Sequence, residues 1–189
     1  NQKMKNIKKF ICTVLIVANL LLLFPGEVST SYGQEDIFSD VPRDSYAFDA
    51  IHKLKSLGIT NGIGNNKFGY GKILTRGEFV TFLARIMGWE LISPPKGSFT
   101  DNHDKGKFYY SPVETAVALG VVSKDEEFFR PNDAITREEA AVMAVNCLGL
   151  GKLAERISYL PTPFSDVTRN KGYITIAKDL GIFNGTSKT

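Results

Sequence analysis

The chain has 189 residues, with 23 Lys and Arg against 20 Asp and Glu and a formal net charge of +3. The first 33 residues hold four of those lysines and one of the glutamates, so the remainder carries nineteen of each sign. An evenly charged remainder gives no basis for a nucleic-acid face or a basic membrane patch.

The N-terminus reads as an export signal over residues 1–33. Lys3, Lys5, Lys8 and Lys9 precede an apolar run from Phe10 to Phe24, broken by Pro25 and Gly26 and followed by small residues up to Gly33. Positive flank, short apolar core and small-residue exit are the parts of a secretory signal. The run is shorter than the roughly 20 residues of a membrane span, so no stable span is expected after its removal. Met4 reads as the natural start. Cys12 falls in this segment, which leaves Cys147 alone in an apolar setting, read as a buried thiol because no histidine lies near it in sequence.

Beyond the leader the sequence repeats. Phe38-Ser39-Asp40-Val41 recurs as Phe99-Thr100-Asp101-Asn102 and as Phe164-Ser165-Asp166-Val167, at offsets of 61 and 65. Leu57-Gly58-Ile59 recurs at Leu119 and Leu180, and Leu74-Thr75-Arg76-Gly77-Glu78 recurs as Ile135-Thr136-Arg137-Glu138-Glu139. Three signatures in one order define copies at 36–92, 97–152 and 162–189, the third carrying its first half only.

Each copy reads as helix, loop, helix, which makes the fold class all-α. In the first, Ala47, Ala50, Ile51, Leu54 and Leu57 fall at helical spacing before Gly58. Gly62, Gly64, Gly69 and Gly71 then mark a loop. Phe79, Val80, Leu83, Ile86 and Met87 form a second stripe that ends at Gly88. Residues 89–98, with Pro94 and Pro95, read as a linker. The second copy predicts helices near 110–119 and 137–148, and the third a helix near 172–180. Single units are too small to bury their own apolar faces, so the copies must pack together.

Thr75 with Glu78, and Thr136 with Glu139, fit the Thr-x-x-Glu capping box. The cap does not account for Arg76 and Arg137, because a cation at the start of a helix is mildly unfavourable. Two uses are open. The guanidinium could join free helix-start amides in binding a carboxylate or phosphate. It could equally pair with an acid of a neighbouring copy, such as Asp40, Asp101 or Asp166. Those aspartates read as turn or cap residues or as polar groove contacts. Tyr46 and Phe108 hold matching places and read either as core or as an aromatic wall for a sugar ring. Asp101, His103 and Asp104 miss the calcium-loop pattern, since Lys105 stands where an oxygen ligand belongs, and no metal or other cofactor is expected. Carboxylates that recur with every copy favour multivalent binding over catalysis.

These motifs resemble the S-layer homology domains of bacterial surface proteins. The resemblance spans about residues 36–189 and rests on Phe-Ser-Asp-Val, Leu-Gly-Ile with Gly62, Phe129-Arg130-Pro131 and the two Thr-Arg-x-Glu segments. It implies a three-unit helical bundle that anchors an exported protein to the cell wall without covalent attachment. The implied ligand is a secondary wall polysaccharide carrying pyruvate ketals. The implied contacts are Arg76 and Arg137 to the ketal carboxylate, with Asp40, Asp101, Asp166, Tyr46, Phe108, Gly62 and Gly185 lining the groove. Peptidoglycan and self-association in a surface layer are further candidate partners. Tyr46 and Phe108 depart from the tryptophan common in the family. No catalysis is expected within the chain; the alternatives are a wall-associated enzyme with a downstream catalytic domain, or a self-assembling lattice subunit.

Overall fold

Among the described residues, two threonines begin the two longest helices. Thr75 Oγ1 accepts from the Glu78 amide while Glu78 Oε2 accepts from the Thr75 amide, and Thr136 and Glu139 repeat the arrangement. Both capping residues are extended, which turns the chain into the helix at a fixed point. The computed structural model describes residues 38–162 and 164–183. The leader over 1–33, Gly185 and the end of the third copy lie outside the described residues.

Six helices are formed among the described residues: α1 (Phe48–Ser56), α2 (Arg76–Met87), α3 (Tyr110–Ala118), α4 (Arg137–Cys147), α5 (Gly151–Arg156) and α6 (Lys171–Asp179). The only extended pairings among these residues are the isolated bridges Gly64–Lys67 and Thr75–Ala134, so the class is all-α. The helix expectations of all three copies hold to within a residue or two at their ends. Helix α5 is an addition: it fills part of the segment that joins copies two and three.

The helices pack across copies. Helix α2 of the first copy lies against α3 and α4 of the second, and α6 of the third lies against α4 and α5. The main core joins Val80 of α2 to Phe99, Tyr109, Val113, Phe129 and Met143 of the second copy. Each such side chain contributes about 1.5 to 3 kcal/mol when fully buried. A second core sets Ala141 and Val145 against Tyr173, Ile176 and Ala177. The first copy's own core is small: Phe38, Val41 and Ile51, backed by Phe68.

The stripe expected on α1 is only partly real. Ile51 is buried, whereas Ala50 and Leu57 face solvent. Among the described residues α1 packs on no other helix and rests on loop residues of its own copy. The segment 89–98 is fixed to α3: the Ile92 amide donates to Thr115 Oγ1 (3.0 Å), Tyr110 donates to the Pro94 carbonyl (2.8 Å), and the Ser98 amide and hydroxyl both donate to buried Glu114.

Candidate functional site

Asp40 and Asp101 are loop latches. Asp40 accepts the amides of Phe68, Gly69 and Tyr70 at 2.7, 2.8 and 3.0 Å. Asp101 accepts those of Phe129 and Arg130 at 2.8 and 2.7 Å. Each latch sets one phenylalanine against the copy's first one, Phe38 on Phe68 and Phe99 on Phe129, with centroids 5.6 Å apart in both. Burial opposes ionisation of Asp40, but its backbone donors outweigh that and hold its pKa below the ordinary value. Gly62 serves the same loop. Its φ of +71° favours glycine, and a Cβ there would collide with the Lys67 carbonyl and the Phe38 ring. Asp166 is exposed.

Arg76 lies inside the molecule, 7% exposed. Its Nε donates to the Phe129 carbonyl (2.8 Å), its Nη1 meets Glu139 Oε1 (2.8 Å), and its guanidinium lies 4.9 Å from the centre of the Phe129 ring. The acid of the neighbouring copy is thus Glu139, the second capping glutamate, rather than one of the three aspartates. The helix-start amides of α2 are also occupied. Those of Arg76 and Gly77 donate to the carbonyls of Asp133 (3.0 Å) and Pro131 (2.9 Å), so the loop of copy two closes the start of a copy-one helix. That end of α2 is not an open anion receptor. Arg137 is exposed on α4, with its guanidinium 5.7 Å from the ring centre of Phe183.

Glu139 spends both oxygens. Oε2 accepts the Thr136 amide (2.9 Å), while Oε1 accepts both Arg76 and Arg130 Nη2, the latter at 2.6 Å. Burial works against its charge, yet the amide and the two guanidiniums hold its pKa below the ordinary value. Arg130 is half exposed and also faces Asp133 at 3.8 Å. Its φ of +60° is left-handed, and the equivalent place in copy one is Gly69, φ +91°. A non-glycine residue in that region costs about 1–2 kcal/mol.

These groups border a groove of about 580 Å³ to which all three copies contribute. Arg76 comes from the first, Arg130 and Glu139 from the second, Asn170 and Tyr173 from the third. Phe99, Phe129 and Met143 supply apolar surface. Asp125, Glu126 and Glu155 add carboxylates, so an anion is favoured only at the arginine end, while the acids suit the hydroxyls of a sugar. Of the described residues expected to bind, only Arg76 borders this groove. Tyr46 (97% exposed) and Phe108 (60% exposed) are surface rings, which removes the core reading, and neither faces it. The sequence reading missed Arg130, Asn146, Asn170 and Tyr173. Arg130 carried one signal, an arginine where copy one has glycine. Cys147 is partly buried, and burial pushes its thiol pKa up to about 11, so it is protonated near neutrality.

Residues 37–80 and 98–141 match the S-layer homology domain, and these stretches hold the latches, the capping boxes and both cap-adjacent arginines. The chain carries two S-layer homology domains. It is 28% identical over 190 residues to a cell surface protein of Thermoanaerobacter kivui, covering 96% of this chain and 22% of that protein. It is 31% identical over 188 residues to the S-layer protein sap of Bacillus anthracis, covering 97% and 22%. An exoglucanase of Acetivibrio thermocellus is 29% identical over 168 residues, covering 87% and 15%. The chain therefore spans about a fifth or less of the length of these relatives. Family and relatives together place this S-layer homology chain at the cell wall or cell surface. Its matched stretches are of a binding type, not a catalytic one. Among the described residues no helix is long and apolar enough to cross a membrane.

Proposed function

We propose that this S-layer homology region anchors an exported protein to the cell wall by holding an anionic secondary wall polysaccharide. The observation that carries the reading is the groove in which Arg76 and Arg130 converge on one carboxylate oxygen. Its arginine end suits an acidic substituent such as a pyruvate ketal, and its carboxylates and amides suit sugar hydroxyls. Arg137 on α4 and the exposed rings of Tyr46 and Phe108 are further ligand contacts in this reading, because they recur with the unit and lie at the surface. Repetition of the unit makes the attachment multivalent, so individually weak contacts add up to firm retention. The relatives include surface-layer proteins and an exoglucanase, so the same anchor serves cargo of either kind.

Co-sedimentation tests the reading. The chain is mixed with purified cell walls, with walls depleted of ketals by mild acid, and with walls stripped of secondary polysaccharide. Binding is expected to fall in that order. Equal retention on intact and stripped walls would refute anchoring through the polysaccharide.

A further inference from the structure

We propose that Arg130 is the guanidinium that turns from its internal partner to take the carboxylate of the wall polysaccharide, while Arg76 stays in place and holds the groove together. The inference rests on the anchoring reading and assigns its direct contact to a residue outside the repeated Thr-Arg-x-Glu segment.

Three observations converge on Arg130. The first is its backbone. It occupies a left-handed position that copy one fills with Gly69, so the loop forms without any side chain there. An arginine in a conformation that favours glycine needs a use beyond the loop. The second is its placement. Asp101 Oδ2 accepts the Arg130 amide at 2.7 Å, which fixes the base of the side chain at the rim of the groove. The third is the division of Glu139. One carboxylate oxygen serves two guanidiniums, and the other oxygen is committed to the Thr136 amide.

The two arginines differ in what leaving would cost. If Arg76 turned outward, the Phe129 carbonyl would lose its donor and a guanidinium would vacate a buried place beside the Phe129 ring. If Arg130 turned outward, Glu139 would keep Arg76 and the Thr136 amide, and only exposed pairs would open. A ligand carboxylate can then replace Glu139 on the planar fork of Arg130 with two parallel bonds. Copy one, with glycine at this position, cannot build the same contact.

The test uses the full chain with R130G and R130K in the wall-binding assay, alongside thermal melts. R130G restores the residue of copy one, so its melting temperature should equal or exceed that of the wild type. Its affinity for intact walls should fall about tenfold or more, as expected for loss of a charged contact. R130K, which keeps charge without the fork, should also bind more weakly than wild type. Wild-type retention that ignores polysaccharide stripping overturns the anchoring reading and this inference with it. Polysaccharide-dependent binding that R130G preserves overturns the inference alone. A fall in both binding and melting temperature makes Arg130 a structural residue and also overturns it.

Discussion

At the scale of single residues, Gly62 and Gly58 offer a clean contrast. Both have positive φ, but a Cβ at Gly58 meets nothing within 4 Å, whereas at Gly62 it meets the Lys67 carbonyl and the Phe38 ring. Gly58→Ala should cost about 1–2 kcal/mol, the backbone penalty alone. Gly62→Ala should cost more than that, because the loop must also move away from the new methyl group. Chemical denaturation of the two variants checks the order, and equal losses would remove the close approach as an explanation. Asp40 adds a pH dependence of known sign. Its folded pKa lies below the free value of 3.8, so its contribution is complete above that value and fades as pH falls through the lower, folded one. Melts taken from neutral pH downward should show that loss, and Asp40→Asn should flatten it. The sequence marked Gly62, Asp40 and Asp101 as special because they recur. It could not separate loop latch from ligand contact, since that depends on which amides lie about 28 residues further along the chain.

At the scale of elements, the two capping boxes were legible because every atom involved lies within four consecutive residues. Thr75→Ala and Thr136→Ala should each cost about 1 kcal/mol, within the range of roughly 0.5 to 2 for lost caps. Glu139→Gln should do more harm than Glu78→Gln, because Glu139 also answers Arg76 and Arg130. Thermal melts of the four variants test that ranking, and a larger loss for Glu78→Gln would contradict it. Helix α5 was not legible. It has six residues, begins at Gly151 just after Gly149, and is held by packing of Ala154 under α6 rather than by its own propensity. The stripe on α1 misled for a related reason. Periodicity records which residues share a face, while burial requires a partner, and Ile51 finds one where Leu57 does not.

At the scale of the whole molecule, Arg76 ties the first copy to the second. The start of α2 is closed by carbonyls of Pro131 and Asp133, Val80 enters the core of copy two, and Arg76 meets Phe129 and Glu139. Sequence could show that the copies must pack together, but not that one copy's helix start is completed by the next copy's loop. That arrangement predicts one cooperative transition for the two copies. Trp89, the single tryptophan, packs against the shared core and reports on it. Its fluorescence and the far-ultraviolet circular dichroism should therefore change together in denaturant. Arg76→Ala should lower stability by about 3 kcal/mol, the low end for a broken buried pair, because Glu139 keeps Arg130 and is partly exposed. Both signals should shift to lower denaturant by the same amount. If the tryptophan signal moved alone, the first copy would be folding independently, and the role of Arg76 as a tie between copies would be wrong. The same variant would lose wall binding through instability, which is why Arg130→Gly, and not Arg76→Ala, separates ligand contact from architecture.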